Sequence, residues 1–127
     1  MEFRIITNNP AVQQTCEKDC TIEFHTETYM DVLVRVRGLV QQGCKLLSHP
    51  LSGSVKPNET PYKSVMVSVK AGPSVDTESE LIIEECITAC RKFADLHRQW
   101  TDSVLRDFQY IDYTLISSAI ASAKELG

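Results

Sequence analysis

The sequence predicts a layered, Rossmann-like α/β domain over residues 1–127, with a sheet of about four strands, mainly parallel, helices on both faces and two C-terminal helices. Three observations lead there. Short β-branched apolar runs alternate with helix-period segments in the order β-α-β-α-β, the pattern of crossover units whose strands run parallel. From Thr77 to Leu126 the chain holds neither Gly nor Pro, so its last third reads as helix. Finally, 127 residues with 43% hydrophobic and 24% charged side chains suffice for one core of ordinary size.

Phe3 to Thr7 (FRIIT) is a first strand, and Asn9 before Pro10 starts a helix that runs to about Lys18, because Asn caps free N–H groups and Pro suits the first helical turn. Thr21 to His25 (TIEFH) alternates as a second strand. Thr28 with Asp31 makes a capping box. Tyr29, Leu33, Val36 and Val40 then share a helical face, and Gly43 ends that helix. Lys45 to Ser48 (KLLS) is expected as a short third strand. A turn-rich segment, His49 to Tyr62, follows, and Lys63 to Lys70 (KSVMVSVK) is the clearest strand, free to run antiparallel because no helix precedes it. Thr77 and Glu80 form a second capping box, with Asp76, Glu78 and Glu80 suited to a helix N-terminus. Ile83, Cys86, Cys90, Ala94 and His97 make one stripe; Leu105, Phe108, Ile111, Leu115 and Ala119 make another. A break is expected near Thr101-Asp102-Ser103, although the stripes share one phase and one continuous helix is the alternative.

Charge narrows the function classes. Residues 1–63 carry seven basic and seven acidic side chains, and residues 64–127 six and ten, so the net −4 sits wholly in the C-terminal half. An acidic surface repels phosphate backbones, and no basic stripe with interleaved aromatics exists, so nucleic acid is not an expected partner. No run is long and apolar enough for a membrane span, and MEFRIITNNP does not read as an export signal; a cytoplasmic protein with reduced cysteines is expected. Cys16, Cys20, Cys44, Cys86 and Cys90 lack zinc-site spacing, and neither GxxxxGK[ST] nor GxGxxG is present, so no metal and no cofactor is expected.

In an open parallel sheet, ligands collect beyond the carboxyl ends of the strands. If the first strand neighbours KLLS, Asn8 and Asn9 meet His49 on one rim, and the loop drapes Ser52, Gly53, Ser54, Lys56, Asn58 and Glu59 over it. Ser52-Gly53-Ser54 can turn N–H groups toward an anion, Lys56 adds positive charge, and Asn58 and Glu59 fix the loop. A small carboxylate or phosphate is the ligand this chemistry suits. A plain surface loop stiffened by Pro50, Pro57 and Pro61 is the alternative. His49 could act as a general base with Glu59 and a loop serine, giving a small hydrolase or transferase, or it could simply tie down its own loop. Small residues at Ser117, Ser118, Ala119, Ala121 and Ala123 let the last helix pack on the sheet, or form the seam of a homodimer.

Two blocks, IITNNP (Ile5–Pro10) and GCKLLSHPLSGSVKPNETPYKS (Gly43–Ser64), resemble the GrdX family, small proteins encoded with the glycine, sarcosine and betaine reductase systems of anaerobic bacteria. The resemblance implies an accessory protein of a reductase complex and assigns no catalytic residue. The expectation is therefore a non-catalytic accessory protein that binds a small anion or a partner protein along the Asn8/Asn9 and His49–Lys63 edge.

Overall fold

The computed structural model describes residues 2–51, 59–92 and 99–126. Its elements are β1 (Phe3–Thr7), α1 (Pro10–Cys16), β2 (Thr21–Phe24), α2 (Tyr29–Gln41), β3 (Ser64–Ser68), α3 (Thr77–Arg91) and α4 (Asp102–Leu126). Strand order is β2-β1-β3, with β2 parallel and β3 antiparallel to β1. Alternation along β1 divides the core: Ile6, with Val65 and Val67, packs against α2 and α3 through Val32, Val36, Ile83 and Ile87. On the opposite face Ile5 and Met66 meet Val12 of α1 and Ile116 and Ile120 of α4. The sheet is thus covered by one helix pair on each side, as strands buried on both faces require.

The four-stranded, mainly parallel Rossmann-like sheet is overturned: the sheet has three strands and is mixed. Lys45–Ser48 forms no ladder strand. It contributes a single antiparallel bridge, Leu46 to Val67, on the outer side of β3. The physical reason is that hydroxyl groups occupy ladder positions: Lys45 N donates to Ser68 Oγ (2.8 Å), Leu46 N to Ser79 Oγ (3.0 Å), and Met66 N to Ser48 Oγ (2.9 Å). β3 therefore lies where the third strand was expected, beside β1.

Local rules hold elsewhere. Asn9 caps α1, accepting from Ala11 N, and Thr28 and Asp31 complete a reciprocal capping box on α2. Gly43 sits at φ +106°, closed to other residues, just past the end of α2. The expected Thr77/Glu80 capping box does not form: α3 starts one residue earlier, with Asp76 as a simple cap that accepts from Ser79 N at 3.1 Å and Ser79 Oγ at 2.6 Å. α3 and α4 are distinct helices; residues 93–98 between them lie outside the described residues.

α4 has 25 residues, about 37 Å of helix, against a β1 of five residues spanning about 17 Å. Ile116 and Ile120 are the residues that sit on the sheet. The turns before Gln109 therefore project past the end of β1 at Thr7. That overhang frames the candidate site.

Candidate functional site

The end of β1 carries a buried polar chain. Ser64 Oγ donates to Asp112 Oδ2 (2.7 Å), so its single proton is used there and Thr7 donates to Ser64 Oγ (2.7 Å). Thr7 Oγ1 in turn accepts from Asn9 N at 2.9 Å. Asp112 also accepts from Ser64 N (3.1 Å) and Asn9 Nδ2 (3.0 Å). One almost wholly buried carboxylate on α4 thus joins β3 and the cap of α1, with β1 tied in through Thr7 and Ser64. Such aligned chains strengthen each member and make the loss of any one expensive.

Asn8 does the same for the loops. Its Oδ1 accepts from Lys63 N (2.9 Å), and its Nδ2 donates to Glu27 O and Pro61 O (both 2.9 Å). Asn9 Nδ2 also reaches Gln109 O at 2.9 Å. The side-chain donors of Asn8 and Asn9 are thus all committed to protein acceptors, and their role in this geometry is to hold the rim together.

Of the other expected residues, only His49 and Glu59 are described. Ser52, Gly53, Ser54, Lys56 and Asn58 lie outside the described residues. His49 follows the segment on the outer side of β3, so it heads to the same end of the sheet as Asn8 and Asn9 with β3 between them. It is exposed, and its Nδ1 accepts from Leu51 N at 3.1 Å. That bond ties the ring to its own loop, two residues on. Glu59 is half-buried where the described chain resumes. Thr7, Lys63, Ser64 and Asp112 were not singled out from sequence. The one available signal was an acid at 112 in register with the buried Ile116 and Ile120.

Lys63 is the unusual charge at the rim. It is 7% exposed, its Nζ lies 6.0 Å from the centroid of the Tyr29 ring, and its ammonium forms no hydrogen bond or ion pair with the described residues. Burial pulls its ammonium below the ordinary range, partly offset by the Asp112 carboxylate. The Tyr29 hydroxyl beside it is buried without a hydrogen-bond partner, and burial pushes the phenol far up. Between Lys63, Thr60, Tyr62, Phe108 and Asp112 is a cavity of only about 10 Å³, enough for about one water.

The large concavity is elsewhere. A cleft of about 840 Å³ opens at the opposite end of the sheet, between Lys45 and the Lys70–Glu78 segment. Volume favours that cleft for a small molecule, although a second opening of about 520 Å³ lies at the rim end, lined by His25, Glu27, Asp31 and Arg35. A family model described as GrdX-like protein matches residues 4–121, which takes in both ends of the sheet and nearly all of α4.

The chain belongs to the GrdX-like family. Comparison with curated proteins and with solved structures gives no match. In this GrdX-like chain the part of α4 beside the rim leaves apolar side chains in solvent: Ile111 is 39% exposed, Leu115 37% and Tyr110 66%. Phe108 is braced edge-on by Trp100, centroids 5.7 Å apart, and Gln109 Nε2 donates to Tyr62 Oη at 2.8 Å, fixing this face to the end of the loop. The five cysteines are unpaired, and burial pushes the Cys86 thiol up to about 11 and raises Cys16, Cys20 and Cys90, which disfavours nucleophilic thiolate chemistry at those four positions. Among the described residues no helix is long and apolar enough to cross a membrane, and no cluster of potential metal ligands forms.

Proposed function

We propose that the chain is an accessory protein of an amino-acid (glycine, sarcosine or betaine) reductase system and acts by docking a protein component of that system. The surface is the rim at the end of β1 together with the adjoining turns of α4 around Ile111 and Leu115. Membership of the GrdX-like family supports the association, since the family is named for such systems. The observation that carries the docking reading is the apolar face of Ile111 and Leu115, exposed yet held in a fixed position by the Asp112 and Gln109 contacts. Rigid, exposed apolar side chains beside tyrosines are the makings of an interface centre. The cavity of about 10 Å³ between Lys63 and Asp112 suits a water better than a carboxylate or phosphate, and in the wider opening at the same end Arg35 is already paired with Glu27 and Asp31 adds a second acid, so a protein partner is favoured over a small anion there.

Immobilised reductase components, presented one at a time to the purified chain, test this. One component is expected to retain the wild type, and Ile111→Asp to weaken that binding by roughly tenfold or more. Leu81→Asp, on α3 and 61% exposed, serves as a control expected to bind as wild type. Retention by no component, or equal retention of Ile111→Asp, would contradict the proposal.

A further inference from the structure

The cleft of about 840 Å³ lies at the end of the sheet away from the docking surface and takes no part in it. We infer that this cleft is a binding site for a small organic acid, one carboxylate on a short apolar body. Its volume falls within the range of about 300–1,000 Å³ typical of small-molecule sites. Its walls are held from beneath. Gly72 N donates to Gly43 O at 2.9 Å, and the two glycines approach so closely that a Cβ on Gly43 would stand 2.6 Å from Gly72 O. The buried Ser68 hydroxyl accepts from Lys45 N (2.8 Å) and donates to Lys70 O (3.1 Å). One hydroxyl therefore joins the backbone of two lysines that both line the cleft.

Neither lysine forms an ion pair among the described residues. Lys45 is near enough to Asp76 to help hold that carboxyl low, but the Asp76 oxygen Oδ2 is already taken by Ser79 N and Ser79 Oγ (3.1 and 2.6 Å). The two ammonium groups are left to recognise one carboxylate. Ala71, Pro73 and Val75 supply an apolar wall for its body. Glu2, Asp76 and Glu78 also line the cleft, three carboxylates against two ammonium groups, and their charge limits the ligand to a single negative charge, against a phosphate dianion.

The test is an amide NMR titration of the full chain with butyrate, alongside butylamine and hydrogen phosphate. Butyrate is expected to shift the amides of Gly72, Ser74 and Val75 saturably, and the double variant Lys45→Ala/Lys70→Ala to weaken binding at least tenfold. Both lysines are exposed, so the variant's melting temperature should match wild type. The inference fails if butyrate gives no saturable shift at millimolar concentration, or if the double variant binds as well as wild type. Equal response to butylamine or phosphate would overturn the single-carboxylate assignment. None of these outcomes bears on retention by reductase components, which reads the other end of the molecule.

Discussion

Asp112 is an acid on the α4 stripe that continues through Ile116 and Ile120, a position where an aliphatic side chain would ordinarily pack. It is tolerated because three protein donors converge on it. Asp112→Ala strands those donors and is expected to lower stability by on the order of 3 kcal/mol in urea unfolding, while Ser64→Ala costs about 1 kcal/mol. Glycines give a second contrast. Gly43→Ala forces a side chain into φ +106° and against Gly72 O, an expected loss of about 2–3 kcal/mol. Gly38→Ala, inside α2 with nothing within 4 Å, should gain about 0.5–1 kcal/mol. Lys63 carries a pH prediction. Because burial lowers its pKa in the folded chain, the unfolded chain binds more protons between that value and the ordinary 10.5, so this group's contribution to stability rises with pH across the window. Lys63→Met should therefore raise the melting temperature near pH 7, with an advantage that shrinks as the pH approaches 10.5; a constant or growing difference would contradict the assignment of a buried, unpaired ammonium. At this scale the caps were legible: Asn9 before Pro10, and Thr28 with Asp31, act through neighbours in sequence. Asp112 was not, because its partners lie 48 and 103 positions away and a lone acid in a helix carries no mark of them.

Elements were legible where one periodicity dominates. The strand at Val65, Val67 and Met66, the faces of α2 and α3, and the start of α4 at Asp102 follow from apolar spacing and capping residues. Lys45–Ser48 misled because two adjacent leucines look like a strand, while the serine hydroxyls that replace its ladder bonds come from β3 and α3. α4 is the element with the most consequence, since it exceeds the sheet it packs on. Ile111→Asp and Leu115→Asp should each leave unfolding within about 0.5 kcal/mol of wild type, as exposed positions do, while removing the docking of a reductase component. A second copy of the chain is the competing occupant of this face. Light scattering that shows a dimer in wild type and a monomer in Ile111→Asp would move the face from partner docking to self-association.

Across the whole molecule, sequence order anticipated helices and strands but could not assign neighbours. Strand pairing is set by long-range contacts, and β3, which follows a loop instead of a crossover helix, was free to lie antiparallel against β1. That insertion places β3 between His49 and the asparagines and leaves the fold with two distinct ends: a polar, latched rim and an open cleft across the sheet. The family name suggests an association with reductase systems without saying which end would meet them. Amide hydrogen exchange, recorded on the chain with and without the reductase component that retains it, answers that most directly. Slowed exchange confined to residues 104–115 and Thr60–Lys63 is the predicted result. Protection centred on α3 or on the cleft, with α4 unchanged, would contradict the account.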